Sequence, residues 1–371
     1  MDILQERLRS QHLLVPAPAA AADVVLHLGA VQSQDYPAAR WAVAQRTPNL
    51  SGADVDDALT NRSILRTHVL RPTWHLVAPQ DIRWMLALTA PRVKALMAYG
   101  YRRSGVDDAM LAKSNHVVTA ALRGGPLTRI ELGDALRGEG IEPRVDNRLA
   151  HLMIGAELDG IVCNGPLRGK QHTYALLDEV VPPAAAKDRA VALAELAARY
   201  YTSHGPATIK DFAWWSGLST ADASTGTNTA QPRLERTDLA GRTYWFAPTA
   251  HTTSGAVPTA HLLPDFDEYT VAYADRTHLI DAADLHHMPS RMDVISNNVL
   301  VVNGRVVGSW ARAVEKATVR VTVTPFQRLT KRGQTALASA AERYAEFLQL
   351  PLQLDVQPPL SPHPGAATPG R

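Results

Sequence analysis

Cysteine is almost missing from this chain of 371 residues, with Cys163 standing alone. A single thiol excludes an internal disulfide and any zinc site built on paired cysteines, and it fits a reducing compartment. Long apolar runs are missing as well: nowhere do about 18 apolar residues follow one another, the length needed to cross a bilayer. The opening "MDILQERLRSQHLLVPAPAAAADVVLHLGA" lacks a basic segment followed by an uninterrupted apolar core, so no export signal is read there. A cytoplasmic protein without a membrane partner is the expectation. Net charge is small at +2 and lysine is scarce, 7 of the 38 basic residues. That bias alone carries little weight, because a GC-rich genome produces it without mechanical cause. Histidine is present 14 times, yet no spacing resembles a metal site, and the adjacent His286 and His287 are expected to point apart. Neither a metal nor a cofactor is expected.

What is present is an ordinary globular composition, 46% hydrophobic and 20% charged, over a length that calls for several domains. Three stretches share one order: helix, turn, helix, then paired strands. In the clearest, "GGPLTRIELGDALRGEG", Thr128 and Glu131 have the spacing of a capping box, and the helix should stop at Gly138 or Gly140. "VDNRLAHLMIGAELDG" follows as a second helix, with Leu149, Leu152, Met153 and Leu158 at helical spacing. "IVCNGPLRGKQHTYALL" then reads as two strands around a tip carrying Arg168 and Lys170, the sequence shape of a wing. Another copy, "LAARYYTSHGPATIKDFAWWSGLSTADA", breaks at Gly205-Pro206 and turns at Gly217; Trp214 and Trp215 are read as core anchors. The first copy runs from "PAAAADVVLHLGA" through "DYPAARWAVAQRT" to "SILRTHVLRPTWHLV", whose strands meet at Arg71-Pro72.

Beyond residue 258 the texture changes to strands. Asn303-Gly304 between Val-rich runs is a strong hairpin signal, and "LTKRGQTALASAAERYAEFLQL" reads as a terminal amphipathic helix. The fold class expected is α+β: three tandem winged helix-turn-helix units with a small C-terminal β-barrel and a terminal helix. The boundaries are 1–105 for the first unit with its linker helices, 106–185 for the second, 186–257 for the third, 258–355 for the barrel and terminal helix, and 356–371 for a disordered tail. Charge is uneven along the chain. Residues 300–345 hold eight Lys or Arg against two acids, while 264–293 hold seven acids against two Arg. Arg312, Lys316 and Arg320 differ by multiples of two, so on one continuous strand they would share a face, whereas a turn would break that register. "DFDEY" at 265–269 is read as capping or bracketing a strand.

"HLGAVQSQDYPAARW" raises the sharpest chemical question. Gln32 and Gln34 would diverge on a helix but face one side on extended backbone. Gly29 can end the preceding helix with a positive φ, leaving a turn, and Asp35 fits as the N-cap of the next helix with Pro37 in its first turn. That capping role is favoured for Asp35 over a catalytic one. Two amides side by side suit chemistry that needs positioning more than proton transfer.

The stretches "LHLGAVQSQDYPAARWA", "RTHVLRPTWHLVAPQDIRWMLALTAPRV", "DFAWWSGL" and "LLPDFDEYTVAYADR" resemble the winged-helix DNA glycosylases of the AlkZ group, associated with azinomycin self-resistance in Streptomyces, and their YcaQ relatives. The likeness runs from about residue 3 to 350, and Gln32-Ser33-Gln34 matches the Gln-x-Gln form of that family's motif. It implies excision of N7-alkylated purines, including both sides of an interstrand crosslink, with Gln32 and Gln34 catalytic. His75 it implies near the lesion, with Thr73 and Trp74 alternating along the same strand; the plain alternative for His75 is a structural hydrogen bonder. An N7-alkylguanine is already cationic, so the base leaves without protonation and a glutamine carbonyl can orient the water. No lysine lies near the turn in sequence, Lys94 being closest, so water is the expected nucleophile. The expected partner is duplex DNA carrying N7-alkylguanine or crosslinks, with Arg40, Arg71, Arg148, Arg168, Lys170, Arg312, Lys316 and Arg320 as candidate DNA contacts. A monomer associated with the bacterial nucleoid is expected. Two other classes stay open: a winged-helix transcriptional regulator, and a non-catalytic DNA-damage-binding protein.

Overall fold

Helices begin where the sequence supplies a cap. Glu131 donates its amide to the Thr128 hydroxyl while its carboxylate accepts the Thr128 amide at 2.7 Å. Thr208 and Asp211 repeat the reciprocal arrangement, and Asp107 and Asp188 cap the helices that follow them. Each cap satisfies amides that the first helical turn leaves without an intrahelical acceptor. The computed structural model describes residues 1–15, 20–248, 259–288, 290 and 292–360. The chain forms two compact units, Ala20–Gln34 with Ala53–Pro248, and Met1–Ala19 with Asp35–Gly52 and Thr249–Arg371.

In the larger unit two sheets share one strand order, while helix Tyr36–Ala44, which the sequence reading put in the first copy, belongs to the smaller unit. Strands Val31–Gln32, Trp74–Val77 and Leu65–His68 form one sheet in that order, with Trp74–Val77 in the middle and antiparallel to both neighbours. The second sheet repeats this order with Leu127–Thr128, Thr173–Leu176 and Val162–Asn164. Helices Asp108–Leu122, Arg129–Gly138 and Arg148–Leu158 accompany it, and their apolar faces meet in a core of Leu122, Leu132, Leu136, Leu152 and Met153. Between the two sheets in sequence comes the 25-residue helix Pro79–Arg103, with Pro91 inside it. The third repeat has helices Arg189–His204, Ile209–Ser216 and Thr220–Ala230 with the hairpin Glu235–Leu239 and Arg242–Phe246, and Ala207 bridges to Trp245. Trp215 is fully buried against Tyr200 and His204, as a core anchor should be, whereas Trp214 is 42% exposed.

In the smaller unit the β-barrel expectation is corrected. A five-stranded sheet runs in the order Leu352–Val356, Thr318–Pro325, Arg305–Glu315, Val299–Val302, Ala260–Leu263, and among the described residues its two edges do not pair. Closure is unnecessary because helix Lys331–Leu348 packs on the sheet. Burial alternates strictly along Thr318–Pro325, so one face is covered and the other half-open. Trp310 and Trp41 pack edge-on to Tyr344 of that helix, and their indole N–H groups donate to the carbonyls of Leu263 and Leu262. Strand Leu352–Val356, parallel to Thr318–Pro325, lies where the sequence reading placed the barrel's end and the start of a tail. Its alternating Leu352, Leu354 and Val356 carried that signal between flanking prolines. Residues 361–371 of the expected tail lie outside the described residues. Further corrections follow from local geometry. Lys316, with φ 46°, sits in a two-residue turn, so Arg312 opposes Val321 while Arg320 opposes Ala313, and the two arginines are on opposite faces. His286 and His287 do not point apart: their ring centroids are 3.8 Å from each other.

Asp267 caps the turn of helix Glu268–Val271 and forms a buried two-pronged pair with Arg46, at 2.8 and 2.9 Å. Gln11 and Gln45 complete the node by bonding to Arg46 and Asp267. His261, buried on strand Ala260–Leu263, has its pKa pushed down to about 3, first by burial and then by the charges of Arg343 and Arg46. The folded state therefore keeps this ring neutral while the unfolded chain protonates it near 6.5. Its stabilising contribution is complete above pH 6.5 and is lost as pH falls toward 3. Urea unfolding from pH 7 to 4 should show stability falling by up to about 1.4 kcal/mol per pH unit from this group, and His261→Gln should flatten the slope.

Candidate active site

Gly29 ends helix Ala21–Leu28 with φ 78°, and a side chain there would stand 3.6 Å from the Trp215 ring. The chain then extends. Val31 and Gln32 pair with Leu76 and His75, and the Ser33 amide donates to the Trp74 carbonyl at 2.7 Å. The strand at Gln32 and the bend at Gln34 bring both glutamines to one neighbour, the segment Arg71–His75. Gln32 Oε1 accepts from Arg71 Nη2 at 2.8 Å, and Gln34 Oε1 accepts the Trp74 amide at 3.4 Å. The two are not equivalent. Gln32 is 6% exposed, whereas Gln34 lies open to solvent.

His75, fully buried, donates from Nδ1 to the Thr73 carbonyl at 2.9 Å, which leaves Nε2 to accept from Arg71 at 3.2 Å. A neutral ring satisfies both bonds. Arg71 also donates to the Trp215 carbonyl, so its guanidinium joins the first hairpin, a glutamine and the third repeat. Gly217, ending the Trp215 helix with φ 68°, packs so closely that any Cβ would collide with the Leu70 carbonyl. The sequence reading proposed Arg71 as a DNA contact; the structure places it among protein carbonyls.

On the other face of the sheet, Arg66 donates to the Ser33 carbonyl at 2.9 Å and lies over the Trp74 ring at 4.3 Å. Glu157, 1% exposed on helix Arg148–Leu158, accepts from the Trp74 indole at 3.3 Å and the His68 amide at 3.2 Å, and pairs with the His68 ring. Sequence reading missed Arg66, His68 and Glu157. The signal was there: "ILRTHVL" sets polar residues inside an apolar strand, and "LMIGAEL" sets an acid in an apolar helix. His172 is pushed down to about 4 by burial and then by Arg66. Burial, followed by the charge of Glu157, pushes the Cys163 thiol up to about 12, which removes it as a nucleophile. Lys94 is paired with Asp159.

Asp35 caps helix Tyr36–Ala44 by accepting the Ala38 amide at 3.0 Å, as the sequence indicated. Asp265 has its carboxyl raised by burial and then by Asp35, against the charge of Arg312. Among the candidate DNA contacts, Arg40 donates to the Gly52 carbonyl at 3.2 Å, and Arg148 to the carbonyls of Ser104 and Glu142 at 2.7 and 3.0 Å. Arg168 pairs with Glu131 at 2.7 Å and Arg320 with Glu315 at 3.3 Å. Lys170, Arg312 and Lys316 make no hydrogen bond or ion pair among the described residues. No group of three or more His, Cys, Asp or Glu among the described residues is arranged to hold a metal ion, and no helix among them is long and apolar enough to cross a membrane.

Comparison with known proteins gives three concordant findings. A family model described as "DNA glycosylase AlkZ-like" matches residues 25–347. The chain is 27% identical over 372 residues to an interstrand DNA cross-link repair glycosylase of Streptomyces sahachiroi, covering 94% of this chain and 97% of that one. It superposes on the solved structure of the Streptomyces sahachiroi DNA glycosylase AlkZ with a TM-score of 0.77 at 25% identity, over 95% of this chain and 98% of the other.

The Arg71 node gives a stability test. Arg71→Ala leaves the Gln32 and Trp215 carbonyls without their charged donor and should lower the unfolding free energy by about 2 kcal/mol in urea titrations. Arg71→Lys, able to reach one carbonyl at a time, should lose less. Equal stability of all three proteins would show that the node contributes nothing to the fold.

Proposed function

The chain belongs to the AlkZ-like DNA glycosylase family, and from that premise we propose that it is a monofunctional glycosylase hydrolysing N7-alkylated, cationic purines in duplex DNA and unhooking interstrand crosslinks. Gln32 and Gln34 are the catalytic pair in this reading. The observation that carries it is their placement: one amide on a strand, fixed and buried, the other on the bend two residues later, open, and both held by the Arg71–His75 segment. Because the alkylated base already bears a positive charge, no acid is needed to expel it. The barrier lies in the oxocarbenium-like sugar and in placing a water, and an amide carbonyl meets both needs through its dipole. An unalkylated base keeps its bond, so damage is selected by its own charge. The crosslink activity rests on the relative whose name carries it.

The three repeats, each with its last strand between the other two or bridged to the segment ahead of its second helix, support a reading as tandem winged helices. In this reading Asp35, Thr73, Trp74 and His75 support the pair, and the protein acts as a monomer on DNA at the bacterial nucleoid. Lys170, Arg312 and Lys316, making no hydrogen bond or ion pair among the described residues, are the better phosphate contacts; Arg40, Arg71, Arg148, Arg168 and Arg320 spend at least part of their donors within the fold.

Changing both Gln32 and Gln34 to Ala should slow single-turnover release of N7-methylguanine by about 100-fold or more, read as alkali-labile strand scission, with duplex binding nearly unchanged. Wild-type rates in that double variant would move the site elsewhere. No scission by the wild-type protein would favour a regulator or a non-catalytic binder. For binding, Arg312→Ala should lower the salt slope of duplex affinity by about 0.9 and weaken damaged and intact DNA alike. Unchanged affinity and slope would take this hairpin off the DNA.

A further inference from the structure

The glutamine turn is held from below by a buried polar cluster that the catalytic reading does not use. Ser33, between the two glutamines, is fully buried, and its polar atoms are engaged: its amide donates to the Trp74 carbonyl at 2.7 Å, its carbonyl accepts Arg66 Nη2 at 2.9 Å, and its hydroxyl accepts Arg66 Nε at 3.3 Å. Arg66 itself is 8% exposed. Its backbone amide donates to Asn164 Oδ1 at 2.6 Å, and its guanidinium plane covers the Trp74 ring. The same Trp74 supplies the backbone amide that Gln34 Oε1 accepts, while its indole N–H runs to Glu157. Glu157 comes from the second repeat, and so does Asn164.

We propose that Arg66 and Glu157 are positioning residues for the excision reaction: together they clamp Ser33 and Trp74, and thereby fix the backbone from which Gln34 presents its amide. The inference rests on the catalytic reading of Gln32 and Gln34. Burying a guanidinium and a carboxylate is costly, and an apolar filling of the same volume would often hold the fold as well. What apolar atoms cannot do is fix the direction of a carbonyl. Arg66 reaches the Ser33 carbonyl through two of its N–H groups and so sets that direction. An error of about 1 Å at such a turn is enough to cost about 100-fold in rate. A second consequence follows from where the anchors lie. Because Glu157 and Asn164 belong to the second repeat, that repeat sets the catalytic turn of the first, and its helix Arg148–Leu158 is committed to the protein interior at that end.

The test separates positioning from folding. Arg66→Lys keeps the charge and loses the fork; excision at saturating DNA should fall about 10- to 100-fold, with the duplex Kd within about twofold. Glu157→Gln, which keeps an acceptor for the Trp74 indole, should fall less than Glu157→Ala. The decisive variant is the apolar pair Arg66→Met with Ser33→Val. It removes the guanidinium together with the Ser33 hydroxyl that met it, leaving only the Ser33 carbonyl unpaired, so its Tm should lie above that of Arg66→Met alone, while its excision rate stays low. Recovery of rate together with Tm would overturn the clamp and leave a structural role. Wild-type rates in Arg66→Lys would overturn it as well, while the glutamine assignment stands on the Gln32→Ala, Gln34→Ala variant measured alongside. Undiminished excision by that glutamine variant would overturn both.

Discussion

Strand Trp74–Val77 is the constraint on which the candidate site depends. It is the middle strand of its sheet, so its register is fixed from both sides and cannot slip without exchanging its two faces. One face carries His75 in a row with Gln32 and Thr67; the other carries Trp74 beside Arg66 and His68. Each glutamine reaches this strand or the turn leading into it. A pair of flexible, uncharged side chains thus finds its partners on a backbone whose register is fixed from both sides.

Around that strand the larger unit places its charges in an unusual way. Arginine, the residue of choice for phosphate, is repeatedly spent on backbone carbonyl oxygens: Arg66 to Ser33, Arg71 to Trp215, Arg83 to Val181 and Pro182, Arg92 to Gly217, Arg148 to Ser104. A planar fork with five donors satisfies carbonyls that loops leave open, which lysine does less well. The arginine excess of the sequence is therefore partly structural. Counting basic residues along the chain overstates the surface available to DNA.

The smaller unit solves a different problem. Its sheet is open, and a helix covers it where a barrel would have closed on itself. Among its buried charges Arg46 and Asp267 form a two-pronged pair, and every oxygen of that carboxylate is bonded. The "DFDEY" carboxylates, which could be taken for an acid pair, are divided by this node: Asp267 is spent on Arg46 and a helix cap, and Asp265 is raised by burial.

Local signals were legible because they are governed by neighbours in sequence. The capping boxes at Thr128 and Thr208, the Gly29 and Gly217 helix ends, the Asp35 cap and the Asn303-Gly304 hairpin all depend on a few adjacent dihedrals. So did the extended backbone at Gln32. The sheet that stays open, the inequality of the two amides and the placing of Arg312 and Arg320 on opposite faces were decided only in three dimensions. Arg66, Glu157 and Asn164 show why. They lie 33, 124 and 131 residues after Ser33 by sequence number, and no local preference reports that a guanidinium from one strand will meet a carbonyl from another. Composition and spacing determined which residues could do the chemistry; strand pairing and burial of charge decided which of them are held in place to do it.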